Sequence, residues 1–408
     1  MSQVMKGVRV LEIAQFIFVP SAGALLADWG ADVIKIEHPT RGDAQRGMFR
    51  ASGIGIDANR NPVMEHANRG KRSVGLDVST KAGQELLYEI ARTADVFLTN
   101  YLPAARQKLK IDLEHIRAVN PDIIYVRGSA HGEKGPERDI GGFDVTSFWS
   151  RSGIAYSMTP EEFEAPLMQP IGGFGDSIGG MNIAGGVAAA LFHRAQTGEA
   201  LEVDVSLMST AWWVSGVAVN TAALSGQVAR APLPKAGGAP GHPFLGNFKT
   251  SDGKTINLFT MQPDPHLRSL FEHLGLPELA QDPRFSNSRA LAENWQAANE
   301  HIVRAFASRP FAYWREHLKT FSGQWAPTQS FADLASDEQA LANDMLFEVE
   351  KDDGGGPMRL ARGPVQFNGE AVSTTRAPEA SEHTETFLTE LGKSWSEIEA
   401  LKAAGVIT

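Results

Sequence analysis

The segment "VRVLEIAQFIFVPSAGALLADWGADVIKIE" (8–37) decides the fold. Within it, "VRVLEI" (8–13) and "DVIKIE" (32–37) read as buried strands, and "VPSAGALLADWG" (19–30) between them has helical spacing. The alternation continues outward. "DVFLTN" (95–100) and "DIIYVRGS" (122–129) read as strands, while "TKAGQELLYEIARTA" (80–94) and "LEHIRAV" (113–119) read as helices. Strands alternating with helices predict an α/β fold, with a parallel sheet covered on both faces.

Beyond this block a long helix is expected from about Ser177 to Arg194. A short strand "LEVDVS" (201–206) follows, then a second apolar helix "LMSTAWWVSGVAVNTAAL" (207–224). The texture then changes. "GQVARAPLPKAGGAPGHP" (226–243) is rich in Gly and Pro and reads as a linker or loop. "NFKTSDGKTINLF" (247–259) is a hairpin signal with Asp252-Gly253 at its turn. A chain of 408 residues is long for one core. The expected division is a large domain over 1–227, a small α+β domain over 228–325, and a C-terminal part, 326–408, returning to the large domain.

Composition excludes several classes. The net charge of −10 argues against non-specific nucleic-acid or membrane-surface binding. The absence of cysteine removes disulfides, thiolate metal sites and a cysteine nucleophile. The start shows no charged leader before an apolar core, and no apolar run reaches about 18 residues. A cytoplasmic globular protein is expected. The turn "AQFIFVPSAG" lacks the Gly-x-Gly-x-x-Gly of a dinucleotide site, and no Walker A loop is present.

Two features point to chemistry. From Lys35 to Arg72 there are eight Lys or Arg against four acids, a local reversal of the overall sign. Loops after parallel strands bind ligands, so this run reads either as a phosphate site or as ordinary solvated charge. In "GGFGDSIGGMNIAGGVAAALFHRAQTGE" (172–199), Asp176 opens the long helix. It reads as a helix N-cap, or, because five glycines (172, 173, 175, 179, 180) leave open space around it, as a reactive carboxylate.

Several blocks together resemble the family III CoA-transferases, a family that includes formyl-CoA transferase and the α-methylacyl-CoA racemases. They are "GVRVLEIAQFIFVPSAGALLADWGADVIKIEHPTRGDAQR" (7–46), "NRGKRSVGLDVSTKAGQELL" (68–87), "TADVFLTNYLPAARQKL" (93–109), "NPDIIYVRGSAHGEKGP" (120–136) and "GDSIGGMNIAGGVAAALFHRAQTGE" (175–199). "RGPVQFNG" (362–369) and "SEHT" (381–384) are weaker matches, with Ser381 where Gly is usual.

The resemblance implies a homodimer of interlocked rings. Each chain would carry a Rossmann-like large domain built from both chain ends, and a small middle domain. It implies acyl-CoA and a carboxylic acid as substrates, no permanently bound cofactor and no metal. Asp176 falls on the family's catalytic aspartate, which attacks the acyl-CoA thioester and then carries CoA as an aspartyl thioester. Backbone N–H groups of the glycine cluster would steady the oxyanion. By position, Gln15, Ile17, His38, Lys71, Arg72, Asn100, Tyr101, Lys108, Phe143 and Asp144 fall along CoA. Gly237 and Gly238 fall on the loop that shields the site from water. The racemases need a His where this chain has Phe143, so the resemblance favours transferase over racemase. A CoA-binding protein without turnover is the further alternative. His131 reads as structural or cleft-lining. Phe148, Trp149, Trp212 and Trp213 read as core or as an apolar acyl pocket.

Overall fold

In the computed structural model, which describes residues 3–48, 50, 51, 53–351, 353–372 and 374–408, the decisive segment forms strand, helix and strand. β1 (Arg9–Ile13) and β2 (Asp32–Glu37) pair in parallel, joined through α1 (Phe18–Asp28). Four further strands complete the sheet: β3 (Arg72–Gly75), β4 (Val96–Thr99), β5 (Ile124–Ser129) and β6 (Glu202–Ser206). All pairs are parallel, in the order β3-β2-β1-β4-β5-β6. This is a doubly wound order, and its reversal point lies between β1 and β4, where such folds open a ligand crevice.

Alternation along the strands divides two cores. Val10, Val33, Val96, Leu98, Ile124 and Val126 face one side, with α1 and α4 (Phe174–Thr197). Leu11, Ile13, Ile34, Ile36, Phe97 and Tyr125 face the other, with α2 (Lys81–Ala91) and α3 (Leu113–Val119). Both faces are buried, which is why these strands read as nearly unbroken apolar runs.

The glycines of α4 are packing devices. A Cβ on Gly179 would lie 2.3 Å from the Phe18 ring, and one on Gly180 would lie 1.9 Å from Ser21 Oγ. A Cβ on Gly175 would lie 2.2 Å from the Phe148 ring. The space expected around Asp176 is therefore filled at these positions by α1 and by Phe148. The second apolar stretch is two helices, α5 (Leu207–Val214) and α6 (Gly216–Ser225), broken at Ser215.

A fully buried charge network lies beneath the carboxyl edge of the sheet. Lys71 Nζ sits 2.8 Å from both Glu12 oxygens and 2.8 Å from the Pro20 carbonyl oxygen. Lys35 Nζ reaches Glu12 Oε1 at 3.2 Å and Asp43 Oδ2 at 2.9 Å. Burial opposes the charge on Lys35, but Asp43 and Glu12 outweigh it and raise its pKa. Burial pulls Lys71 down to about 7, against the attraction of Glu12.

The chain forms two units. One runs to Ala231 and resumes at Gln339; the other is Pro232–Glu338. The second holds an antiparallel sheet of β7 (Gly237–Ala239), β8 (His242–Lys249), β9 (Thr255–Phe259) and β10 (Trp325–Pro327), in the order β10-β9-β8-β7. The turn between β8 and β9 contains Asp252 and Gly253, the latter at φ +78°. Because β10 pairs with β9, the second unit extends past the residue-325 boundary expected from sequence. The returning C-terminal segment packs Phe387, Leu388, Ile398, Val406 and Ile407 into the second core. Ser381 there adopts φ +61°, the left-handed conformation that makes Gly usual at this position. Among the described residues, no helix is long and apolar enough to cross a membrane.

Glu12→Gln should cost about 1–3 kcal/mol of stability by chemical denaturation at pH 7, because the buried Lys71 amine, already drawn down to about 7, gives up its proton and loses its charged acceptor. The double variant Glu12→Gln/Lys71→Met should recover part of that loss, since the Lys35–Asp43 pair remains balanced.

Candidate active site

Helix α4 begins earlier than the sequence suggests. Its N-cap is Gly173 at φ +72°, so Asp176 is the third residue of the helix and not its cap. The capping role belongs to Asp144, from a distant segment. The Gly175 N–H donates to Asp144 Oδ1 and Oδ2 at 3.1 and 3.2 Å. Gln169 Nε2 donates to Asp144 Oδ2 at 2.6 Å. Asp144 thus meets the orphan N–H end of the helix, and the Asp176 carboxylate is released from that task. The Gly175 N–H expected to serve an oxyanion is occupied by Asp144.

The two carboxylates shape each other electrostatically. Burial, and then the charge of Asp144, push Asp176 up to about 7. Burial also raises Asp144, opposed by the hydrogen bonds from Gln169 and the Gly175 N–H. Near pH 7 Asp176 is therefore a poorly solvated carboxylate at the edge of ionisation. Perturbation of this kind marks functional sites.

The turn after β1 reaches this helix end. A Cβ on Gly173 would lie 2.8 Å from Ile17 Cδ1. Phe16 holds φ +64°, a strained value for a non-glycine residue. Its N–H donates to Asp43 Oδ1 at 3.3 Å, so the buried network anchors the strained turn. Phe143 sets its ring edge-on to Phe16 at 5.4 Å and remains 62% exposed.

On the other side of this turn lies a cleft of about 340 Å³ at the carboxyl ends of β1, β2, β3 and β4. Gln15, His38 and Tyr101 line it, as expected. Asn100 ties it together: Gln15 N donates to Asn100 Oδ1 at 3.0 Å, and Asn100 Nδ2 donates back to the Gln15 carbonyl at 2.7 Å. Gln15 Nε2 donates to the Tyr101 hydroxyl at 3.1 Å. Lys108 is exposed on the helix Pro103–Leu109, whose last residue lines the same cleft.

Of the residues expected along CoA, Ile17, Phe143 and Asp144 gather near the N-terminal end of α4, and Lys71 and Arg72 lie elsewhere. Lys71 is internal, committed to Glu12. Arg72 opens β3 at the opposite, amino edge of the sheet and pairs with Asp32 and Glu390. The basic run as a whole is structural: Lys35, Arg46, Arg60, Arg69, Lys71 and Arg72 all hold acids within the fold. Of the eight, Arg41 lines the cleft. Leu76, Asp77 and Ser79 also line it and had no place in the sequence reading. The rule that ligands meet the carboxyl ends of parallel strands would have found these three, which directly follow β3. Gln169 had no signal.

The four aromatics do not form one pocket. Phe148 and Trp149 are core, and Trp212 and Trp213 are exposed. His131 is half-buried and its Nδ1 has no partner among the described residues. Gly237 and Gly238 belong to the second unit, where Gly238 N donates to Asn299 Oδ1 at 2.7 Å. A Cβ on Gly238 would lie 2.4 Å from the Pro243 carbonyl oxygen.

The sequence model of the family described as CoA-transferase family III matches residues 5–384. The chain is 32% identical over 404 residues to (R)-2-hydroxy-4-methylpentanoate CoA-transferase of Clostridioides difficile, covering 99% of each. It is 30% identical to cinnamoyl-CoA:phenyllactate CoA-transferase of Clostridium sporogenes, covering 97% of this chain and 95% of the relative. The crystal structure of a CAIB/BAIF family protein from Brucella suis matches with TM-score 0.79 at 26% identity, covering 96% of this chain and 100% of that one.

Asp144→Asn keeps a capping oxygen but removes a negative charge, so the ionised form of Asp176 gains and its pKa falls. Carbon-13 NMR of the Asp176 carboxyl should show its midpoint about one unit or more below that of the native protein. An unchanged midpoint contradicts the coupling.

Proposed function

Because the chain belongs to CoA-transferase family III, an enzyme family that moves CoA between carboxylic acids, we propose that Asp176 is the nucleophile that carries CoA as an aspartyl thioester. The observation that carries this reading is the under-solvated Asp176 carboxyl, poised near pH 7 by burial and Asp144, while Asp144 caps the helix in its place.

The Asp176 carboxylate attacks the thioester carbonyl of the donor. The C–S bond breaks, leaving a mixed anhydride and the CoA thiolate. The thiolate attacks the Asp176 acyl carbon, expelling the donor acid as carboxylate and forming the Asp176 thioester. The acceptor carboxylate attacks this thioester and releases thiolate, and a new anhydride forms. The thiolate then attacks the acceptor acyl carbon, giving new acyl-CoA and free Asp176. Every nucleophile and leaving group is an anion, and no step moves a proton. A general base is unnecessary, which suits Phe143 at the position where a racemase needs His.

The nucleotide end of CoA lies in the cleft, with Arg41 and Lys108 supplying positive charge to its phosphates and Gln15, His38, Asn100 and Tyr101 shaping the wall. The named relatives transfer CoA to or from acids with bulky apolar tails. The exposed Phe143–Phe16 pair is in keeping with such a tail here, and a 2-hydroxy acid is the proposed acceptor class.

An interlocked homodimer is part of the proposal. Helix α6 has no buried residue despite its apolar sequence, and Trp213, Val217 and Leu224 are 81%, 85% and 89% exposed. A surface of this kind calls for a partner. Light scattering should give twice the 44.1 kDa chain mass, unchanged on dilution, and Trp213→Glu/Val217→Glu should lose it.

Asp176→Ala should lower kcat by a factor on the order of 10³ or more, with CoA transfer assayed against 2-hydroxy-4-methylpentanoate, phenyllactate and oxalate. Mass spectrometry of the native enzyme caught with donor alone should find CoA on the peptide containing Asp176. Transfer that survives the substitution, or CoA on another residue, sinks the nucleophile assignment.

A further inference from the structure

Behind Asp176 runs a second chain of contacts that the reaction above does not use. Gln169 stands in the segment leading into α4. Its Nε2 donates to Asp144 Oδ2 at 2.6 Å and to the Ile171 carbonyl oxygen at 2.6 Å. Both partners are acceptors, so this atom is the nitrogen and the amide has one orientation. In that orientation Oε1 is buried without a partner. A buried acceptor left unmade is costly, so the hold on Asp144 outweighs it. Asp144 in turn grips the first turn of α4 through the Gly175 N–H.

We propose that Gln169 is a positioning residue for CoA transfer: its amide nitrogen clamps Asp144 between the segment before α4 and the first turn of α4, and so fixes a negative charge behind Asp176. The proposal rests on Asp176 as nucleophile.

The fixed charge has a direction in the reaction. Free Asp176 is an anion and is repelled by Asp144. Acylated Asp176, as anhydride or as thioester, carries no charge and feels no such repulsion. A well-held Asp144 therefore raises the free carboxylate relative to the intermediates and favours loading of CoA onto the enzyme. His66, on the helix Pro62–Asn68, holds its Nε2 2.9 Å from Ser177 Oγ, and burial, then Arg69, pull it down to about 4, below the range in which Asp176 titrates. Ile17 and Phe18 approach from the turn and α1 and do not titrate. The nearest acid of the network, Asp43, is paired with Lys35 at 2.9 Å.

Loss of the Gln169 donor lets Asp144 take the proton that Asp176 otherwise holds, because the two carboxyls titrate as a pair. The test is kcat/KM against pH for the native enzyme, Gln169→Leu, Asp144→Asn and the double variant. In Gln169→Leu the acid limb should move to lower pH by about 0.5–1 unit and broaden. The double variant should move no further than Asp144→Asn alone. The fraction of enzyme trapped as CoA thioester with excess donor should fall in both single variants. An unmoved acid limb in Gln169→Leu, a lower kcat with an unchanged profile, or shifts that simply add in the double variant overturn the proposal. Gln169→Met makes the same comparison if the Leu variant does not fold. The residue bearing CoA is read separately from the peptide mass, so the nucleophile and the clamp fail independently.

Discussion

The site depends on a chain of buried charges that ends in a strained turn. Lys71, Glu12, Lys35 and Asp43 alternate in sign beneath the carboxyl edge of the sheet. The last of them accepts the N–H of Phe16, whose backbone is left-handed. This turn carries Gln15 toward the cleft and Ile17 toward the N-terminus of α4. A buried salt bridge is weak evidence for stability in general. Here its role is geometric: it fixes one backbone conformation from which both halves of the site are hung.

The second organising fact is a division of labour between two carboxylates. A helix N-terminus attracts an acid, and two stand near α4. Asp144 takes the N–H groups and Asp176 does not. The acid that is satisfied gives structure; the acid beside it is left under-solvated and raised to about 7. Glycine serves both ends, since Gly175, Gly179 and Gly180 let Phe148, Phe18 and Ser21 pack directly against the helix flank.

Much of this was legible in the sequence. The strands of the sheet followed from apolar runs alternating with helical spacing, and Asp176 stood out among its glycines. Gln15, Asn100 and Tyr101 gather at one cleft because they follow β1 and β4, the strands that flank the reversal point. What failed was reasoning from local charge. The basic run from Lys35 to Arg72 looks unpaired along the chain because its partners are remote: Arg60 meets Asp353, Arg72 meets Glu390, and Lys71 turns inward to Glu12. The true cap of α4 escaped for the same reason, since local capping rules look only at adjacent residues. Gln169 carried no pattern, and its meaning exists only in the folded contact with Asp144.

The C-terminal return also governs how the chain comes into being. Strand β3 is an edge, and it and the residues after it are met by the returning C-terminal segment: the His383 N–H reaches the Ser73 carbonyl at 2.9 Å, and the Asp77 N–H reaches the Val406 carbonyl at 2.8 Å. During synthesis the first three hundred residues emerge with that edge bare and with the second core lacking Phe387, Leu388 and Ile398. An uncovered edge is a template for pairing with other chains, and contacts spanning so much sequence form slowly. The large unit therefore completes only once residues 339–408, which follow the second unit along the chain, are available to it. Without residues 383–408 that edge of the sheet and one side of the second core both stand open.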